Sequence, residues 1–125
     1  MPEAKSISAL VVDDQQTMRA MARLVLKEIG VIDVAVAGSA EAALEQLAAR
    51  KFSVVISDLN MPGMSGVELA QKIKADPELK SIPVFLATSK AYQDQAGEAV
   101  DHFVAKPFMV PDLREAIETH LGALS

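Results

Sequence analysis

The chain has 125 residues, of which half are hydrophobic and 23% are charged, and its net charge is −5. This length and composition predict one globular domain with an ordinary hydrophobic core, and the negative charge argues against nucleic acid as a direct partner. No apolar run approaches the ~20 residues of a membrane span, and no secretory signal is present. The absence of cysteine excludes disulfides, thiolate zinc sites and thiol nucleophiles, and it fits a cytoplasmic protein.

Short apolar runs alternate with segments of helical period along the whole chain. The apolar runs predict strands at residues 7–12, 33–37, 52–57, 84–88 and 102–105. The periodic segments predict helices at residues 17–29, 40–50, 66–75 and 111–124. Strands and helices that alternate in this way imply right-handed βαβ crossovers and a parallel sheet covered on both faces, so the predicted fold class is α/β.

The predicted helices carry recognisable end signals. Gly30 follows the first helix as a C-terminal stop, and Ser39 occupies an N-cap position. Ser65 and Glu68 have the spacing of a capping box ahead of the third helix. Residues 89–101, between the last two strands, offer little helical sequence and contain Gly97, so we expect a short or partly disordered helix there.

Polar side chains follow four of the predicted strands, where the carboxyl ends of a parallel sheet bind ligands. Asp13 and Asp14 follow the first strand, Asp58 the third, Thr88 ends the fourth, and Lys106 follows the fifth. Two carboxylates about 4 Å apart repel by roughly 4 kcal/mol at an effective dielectric constant of about 20, so we expect a cation between them. Oxygen ligands without His or Cys favour Mg²⁺, with Mn²⁺ as a substitute.

Such a site has the parts needed for phosphoryl transfer. A cation held by few protein oxygens keeps waters that a phosphoryl oxygen can replace, and Lys106 balances the remaining charge. Asp58 can then act as a nucleophile that forms an acyl phosphate, and Thr88 can donate a hydrogen bond to a phosphate oxygen. Each feature is common alone, so the hypothesis depends on their joint occurrence at the strand ends.

With these residues in place, the stretches "DDQQTMRAMARLVLKEIG", "VVISDLNMPGMSGVEL" and "FVAKPF" resemble the response-regulator receiver domains of two-component signalling. The single-domain chemotaxis regulators are the most similar. The resemblance covers essentially residues 1–125, and it implies one receiver domain with no output domain. It also implies a flavodoxin-like, doubly wound sheet of five parallel strands in the order 2-1-3-4-5, with helices on both faces.

The resemblance implies a role for each matching residue. Asp58 would be the phosphoacceptor, and Asp13, Asp14 and Asp58 would bind Mg²⁺ together with the backbone carbonyl of Asn60. Lys106 would contact the phosphoryl group.

Two further residues would belong to the response. Thr88 would move toward the phosphoryl group, and Phe103 would be the aromatic side chain that turns inward. Phe103 replaces the tyrosine common in the family, which removes a hydroxyl but keeps the ring. The interval between Thr88 and Lys106 is shorter than usual in the family, so the identity of the output partner cannot be transferred.

The predicted function is a binding switch rather than an enzyme. A histidine kinase or a histidine phosphotransfer protein would donate the phosphoryl group, and the phosphorylated monomer would change its affinity for a downstream protein. A phosphate sink or relay intermediate is the alternative. An aspartyl-phosphate phosphohydrolase is disfavoured, because its acid/base position, two residues after the nucleophile, holds Asn60.

The two histidines of the chain, His102 and His120, lie on different predicted elements. We interpret them as isolated structural side chains rather than as phosphotransfer or metal residues.

Overall fold

The structure, a computed structural model, describes residue 3 and residues 6–59, 61–88, 100–105 and 108–122. In this part of the chain the strands are β1 Ser8–Val12, β2 Asp33–Ala37, β3 Val54–Asp58, β4 Val84–Thr88 and β5 His102–Ala105. The helices of the same residues are α1 Gln16–Ile29, α2 Ala40–Ala49, α3 Gly66–Ala75 and α4 Val110–Leu121.

All neighbouring strands pair in parallel, in the order β2-β1-β3-β4-β5. The predicted α/β class and the predicted strand order are therefore confirmed. The differences lie at element ends: β3 begins two residues later than expected and includes Asp58, and α4 begins at Val110. The expected short or partly disordered helix at 89–101 falls mostly outside the described residues.

The sheet lies between two helical layers. Helices α1 and α4 pack on one face, and α2 and α3 pack on the other. Side chains of a strand alternate between faces, so in β1 Ala9 and Val11 contact the first layer while Leu10 and Val12 contact the second. Burial on both faces explains why β1 is a continuous apolar run that becomes polar only where the strand ends.

The helix ends follow the predicted signals. Gly30 adopts a left-handed conformation, with φ of 108°, and its backbone N–H closes the last turn of α1. The Ser39 hydroxyl accepts a hydrogen bond from the Ala42 N–H at 3.1 Å. Ser65 and Glu68 exchange the two hydrogen bonds of a capping box, at 3.2 and 3.3 Å. No helix of the described residues has both the length and the apolar composition that crossing a bilayer requires.

The first turn of α3 lies directly against the end of β3. The N–H of Gly66 donates to the Leu59 carbonyl at 2.9 Å. A Cβ atom at Gly66 would overlap the Asp58 carbonyl oxygen and approach the Leu86 side chain to 2.8 Å. Glycine is therefore needed at this position, because any side chain there would prevent the helix from approaching the strand so closely.

Replacing Gly66 with alanine is expected to destabilise the protein by about 1–3 kcal/mol, because α3 or the end of β3 must move to accommodate the methyl group. Gly38→Ala is the matched control, since a Cβ atom there meets its nearest neighbour, the Arg19 guanidinium, at 3.5 Å and φ is not positive. Its effect should stay within about 1 kcal/mol. Urea unfolding of both variants measures the difference, and equal stability of the two would contradict the close approach.

The interpretation of His102 and His120 as isolated residues is wrong. The Nδ1 atom of His102 on β5 lies 3.1 Å from the Nε2 atom of His120 on α4. The buried ring of Phe85 contacts both imidazoles, with centroid distances of 5.7 and 5.3 Å. Burial of His102, and secondly the charge of His120, lower the pKa of His102, whereas Glu115 acts in the opposite direction.

Because the pKa of His102 is lowered in the folded protein, the unfolded chain binds more protons once the pH falls below the ordinary histidine pKa of about 6.5. The free energy of unfolding should therefore decrease as the pH falls through that value, and His102→Gln should lose this contribution. Urea unfolding about one pH unit above and below 6.5 gives the comparison. A variant with the same pH dependence as the wild type would contradict it.

Candidate functional site

Two of the predicted site residues meet where the order of the strands reverses. The register of β1 with β3 pairs Val12 with Ser57, so the next residues are Asp13, just after β1, and Asp58, the last residue of β3. From β1 the chain runs to β2 on one side of β1, and from β2 it crosses to β3 on the other side. The carboxyl ends of β1 and β3 therefore form the switch point of the sheet. Backbone pairing, rather than loop placement, thus brings these two aspartates together.

Asp14 completes a cluster of three carboxylates at this edge. One carboxylate oxygen from each of Asp13, Asp14 and Asp58 lies within 4.8 Å of the others. The three differ in depth: Asp13 is buried, with only 3% of its surface exposed, Asp58 is half-buried, and Asp14 is exposed. The cluster is therefore anchored in the core on one side and open to solvent on the other.

Asp13 is held by hydrogen bonds to both its backbone and its side chain. Its N–H donates to the Ala37 carbonyl at 3.0 Å, which continues the β1–β2 pairing beyond the strand. Its Oδ1 atom accepts from the Gln15 N–H at 2.9 Å, and its carbonyl accepts from the Arg19 guanidinium at 2.7 Å. These bonds fix the first carboxylate of the pair before α1 begins.

The contribution of Arg19 was not predicted from the sequence. Arg19 is the fourth residue of α1, and its guanidinium returns to the end of β1 and donates to the Asp13 carbonyl. The available signal was an arginine shortly after two aspartates. That spacing also fits an ordinary solvent-exposed helical residue, so the sequence does not distinguish the two.

The backbone of Asp58 is also fixed from several directions. The buried hydroxyl of Ser57 donates to the Asp58 carbonyl at 3.0 Å. The Leu59 N–H donates to the Ala87 carbonyl of β4 at 3.3 Å, so pairing with β4 extends past Asp58. Together with the close approach of Gly66, these contacts leave the Asp58 backbone little room to move.

The other predicted site residues are described only in part. The register of β4 with β5 pairs Thr88 with Ala105, the residue before Lys106, so the backbone of Thr88 lies at the same carboxyl edge as Asp58. Lys106 and Asn60 lie outside the described residues. Phe103 is half-buried and packs with the cluster formed by Leu59 and Leu86. The functional roles of all these residues remain predictions.

The donor chemistry of the cluster fits a hard divalent cation. All three side chains are carboxylates, and their oxygens are close enough to share one ion. Mg²⁺ prefers such oxygen ligands and keeps several waters, which the exposed side near Asp14 can accommodate. An imidazole or thiolate, which softer metals prefer, is absent from this group of three.

Comparison with known proteins agrees with this architecture. Residues 9–118 match the family model of the response regulator receiver domain. The chemotaxis protein CheY of Pseudomonas aeruginosa is 39% identical over 113 residues, which cover 87% of this chain and 91% of that protein.

Two solved structures have the same fold. One is a putative response regulator from Chloroflexus aurantiacus, with a TM-score of 0.85 and 29% identity over 92% of this chain and 97% of that one. The other is the response regulator protein TrrA of Thermotoga maritima in complex with Mg²⁺-BeF, with a TM-score of 0.82 and 32% identity over 92% of this chain and 99% of that one. The chain therefore belongs to the response regulator receiver domain family.

Proposed function

We propose that this protein accepts a phosphoryl group on Asp58 in a Mg²⁺-dependent reaction and thereby changes its affinity for a partner protein. The observation that carries the proposal is the convergence of the Asp13, Asp14 and Asp58 carboxylates within 4.8 Å at the switch point of the sheet. The TrrA complex with Mg²⁺-BeF supports it, because that relative has the same fold.

The metal would be held by Asp13, Asp14 and Asp58, with the Asn60 carbonyl as a further ligand. When bound, Mg²⁺ would neutralise the carboxylates and stabilise the charge on the phosphoryl oxygens. Asp13 supplies a ligand whose position is already fixed through Gln15 and Arg19. The exposed position of Asp14 leaves an approach for a large phosphodonor protein.

The donor would be the phosphohistidine of a histidine kinase or a histidine phosphotransfer protein. A carboxylate oxygen of Asp58 attacks the phosphorus atom and forms a P–O bond while the P–N bond breaks. The imidazole nitrogen leaves with the electron pair and takes up a proton. The product is an aspartyl phosphate. Thr88 would donate a hydrogen bond to one of its phosphoryl oxygens, and Lys106 would balance its charge.

A switch is favoured over a passive phosphate sink by the packing behind Asp58. Leu59 follows Asp58 directly and belongs to the same apolar cluster as Phe103 and Leu86. Phosphorylation of the Asp58 side chain would therefore be transmitted through Leu59 and Leu86 to Phe103 on the edge strand β5. That edge is where a partner would sense the phosphorylation state.

Asp58→Asn should abolish labelling by acetyl phosphate in the presence of Mg²⁺, because an amide cannot act as the nucleophile. The measurement is the mass increase of one phosphoryl group on the intact protein. Asp112→Asn is the matched control, since Asp112 is an exposed carboxylate on α4 outside the cluster, and it should be labelled like the wild type. Labelling of the Asp58 variant to one equivalent would place the acceptor elsewhere.

Removal of divalent cations with EDTA should prevent phosphorylation of the wild type, and added Mg²⁺ or Mn²⁺ should restore it. Ca²⁺ serves as the control, since it is larger and takes a more flexible coordination shell. The rate of labelling by acetyl phosphate gives the readout. An unchanged rate in EDTA would remove the metal from the reaction.

The partner response can be tested with beryllofluoride, which mimics the phosphoryl group on aspartate. Proteins that bind only the beryllofluoride-treated form, and not treated Asp58→Asn, would be targets of a switch. If treated and untreated protein bind the same partners with the same affinity, the protein acts as a sink or a relay intermediate.

A further inference from the structure

We propose that His102 and His120 form a second metal site, separate from the acidic cluster, for a divalent ion that prefers imidazole, such as Zn²⁺. The two rings come from β5 and α4, and Nδ1 of His102 lies 3.1 Å from Nε2 of His120. They are the only histidines of the chain, which has no cysteine. Both imidazole side chains of the protein therefore lie at one place.

The separation of the two nitrogens suits a shared metal ion. Two nitrogens bound at about 2.0–2.1 Å lie about 2.9 Å apart at a right angle and about 3.4 Å apart in a tetrahedral site. The observed 3.1 Å falls between these limits. A shared proton can also join the rings at this distance. A divalent ion bonded to both nitrogens would displace that proton and lie to one side of the line between them.

The rings are held in place by the core. Phe85 is fully buried on β4, and its ring contacts both imidazoles. The two imidazole planes are nearly perpendicular, at 89°. Because the ligands belong to separate elements, the site exists only when α4 is packed against β5.

The local electrostatics also favour a metal ion. Burial lowers the pKa of His102, which keeps the ring in the neutral form that binds metals. The Glu115 carboxylate on α4 stabilises positive charge at His102, and a bound cation would benefit in the same way. Both rings are only half-buried, so solvent can reach them.

Water would complete the coordination. Within the described residues, the one group of three or more His, Cys, Asp or Glu ligands close enough to share an ion is the acidic cluster, so the histidine pair has no third ligand of this kind. Because ordinary zinc sites have three or four protein ligands, we expect this two-ligand site to bind weakly and reversibly.

The test is a titration of the protein with Zn²⁺ in the presence of excess Mg²⁺, which competes with Zn²⁺ for the acidic cluster. Long-range ¹H–¹⁵N spectra of the imidazoles report on each ring nitrogen. Binding should shift Nδ1 of His102 and Nε2 of His120 together. Unchanged ring nitrogens in excess Zn²⁺ would overturn the proposal and would show that the pair holds only a proton.

His102→Gln and His120→Gln provide the variant test. Each should weaken Zn²⁺ binding by about 10²-fold, because the remaining imidazole loses the gain from a linked second ligand. Asp58→Asn is the control that should bind Zn²⁺ at the imidazoles like the wild type. If both glutamine variants keep wild-type affinity, the metal binds elsewhere and the proposal fails.

The wild-type spectra decide the question even if a variant does not fold. The outcome is also independent of the phosphorylation proposal, because the readout is the imidazole nitrogens themselves and no phosphodonor is present. Loss of Zn²⁺ binding at the imidazoles would leave Asp58 labelling unaffected, and loss of Asp58 labelling would leave the histidine site intact.

Discussion

The close approach of like charges at one edge of the sheet is the constraint on which the account depends. Parallel pairing of β1 with β3 makes Asp13 and Asp58 neighbours, and Asp14 adds a third carboxylate. Charges this close raise the free energy of the folded protein unless cations offset them. The same three carboxylates can hold a divalent ion next to a phosphoryl group.

The rest of the fold holds this edge rigid. Both faces of β1 and β3 are covered by helices, so the strand ends cannot separate without exposing the core. Hydrogen bonds from Gln15 and Arg19 hold Asp13, and the missing side chain of Gly66 lets α3 pack against Asp58. Packing of Leu59 with Phe103 then connects the site to the edge strand.

Sequence patterns predicted the strands, the helices and the positions of the three aspartates, because each depends on periodicity along one element or on where a strand ends. The order of the strands was instead implied by the resemblance to receiver domains. They did not predict contacts between elements that are distant in sequence. His102 and His120 are 18 residues apart, and nothing in either segment indicates that α4 brings the rings together. The need for Gly66 was hidden for the same reason, since it depends on how closely α3 approaches β3.

The dependence of stability on Mg²⁺ tests the central claim most directly. Urea unfolding of the wild type and of Asp14→Asn would be measured in EDTA and in Mg²⁺, with KCl added to equal ionic strength so that general screening is held constant. The account predicts that Mg²⁺ stabilises the wild type more than the variant, and that the variant is the more stable protein in EDTA. Equal stabilities of the two proteins, unchanged by Mg²⁺, would contradict it.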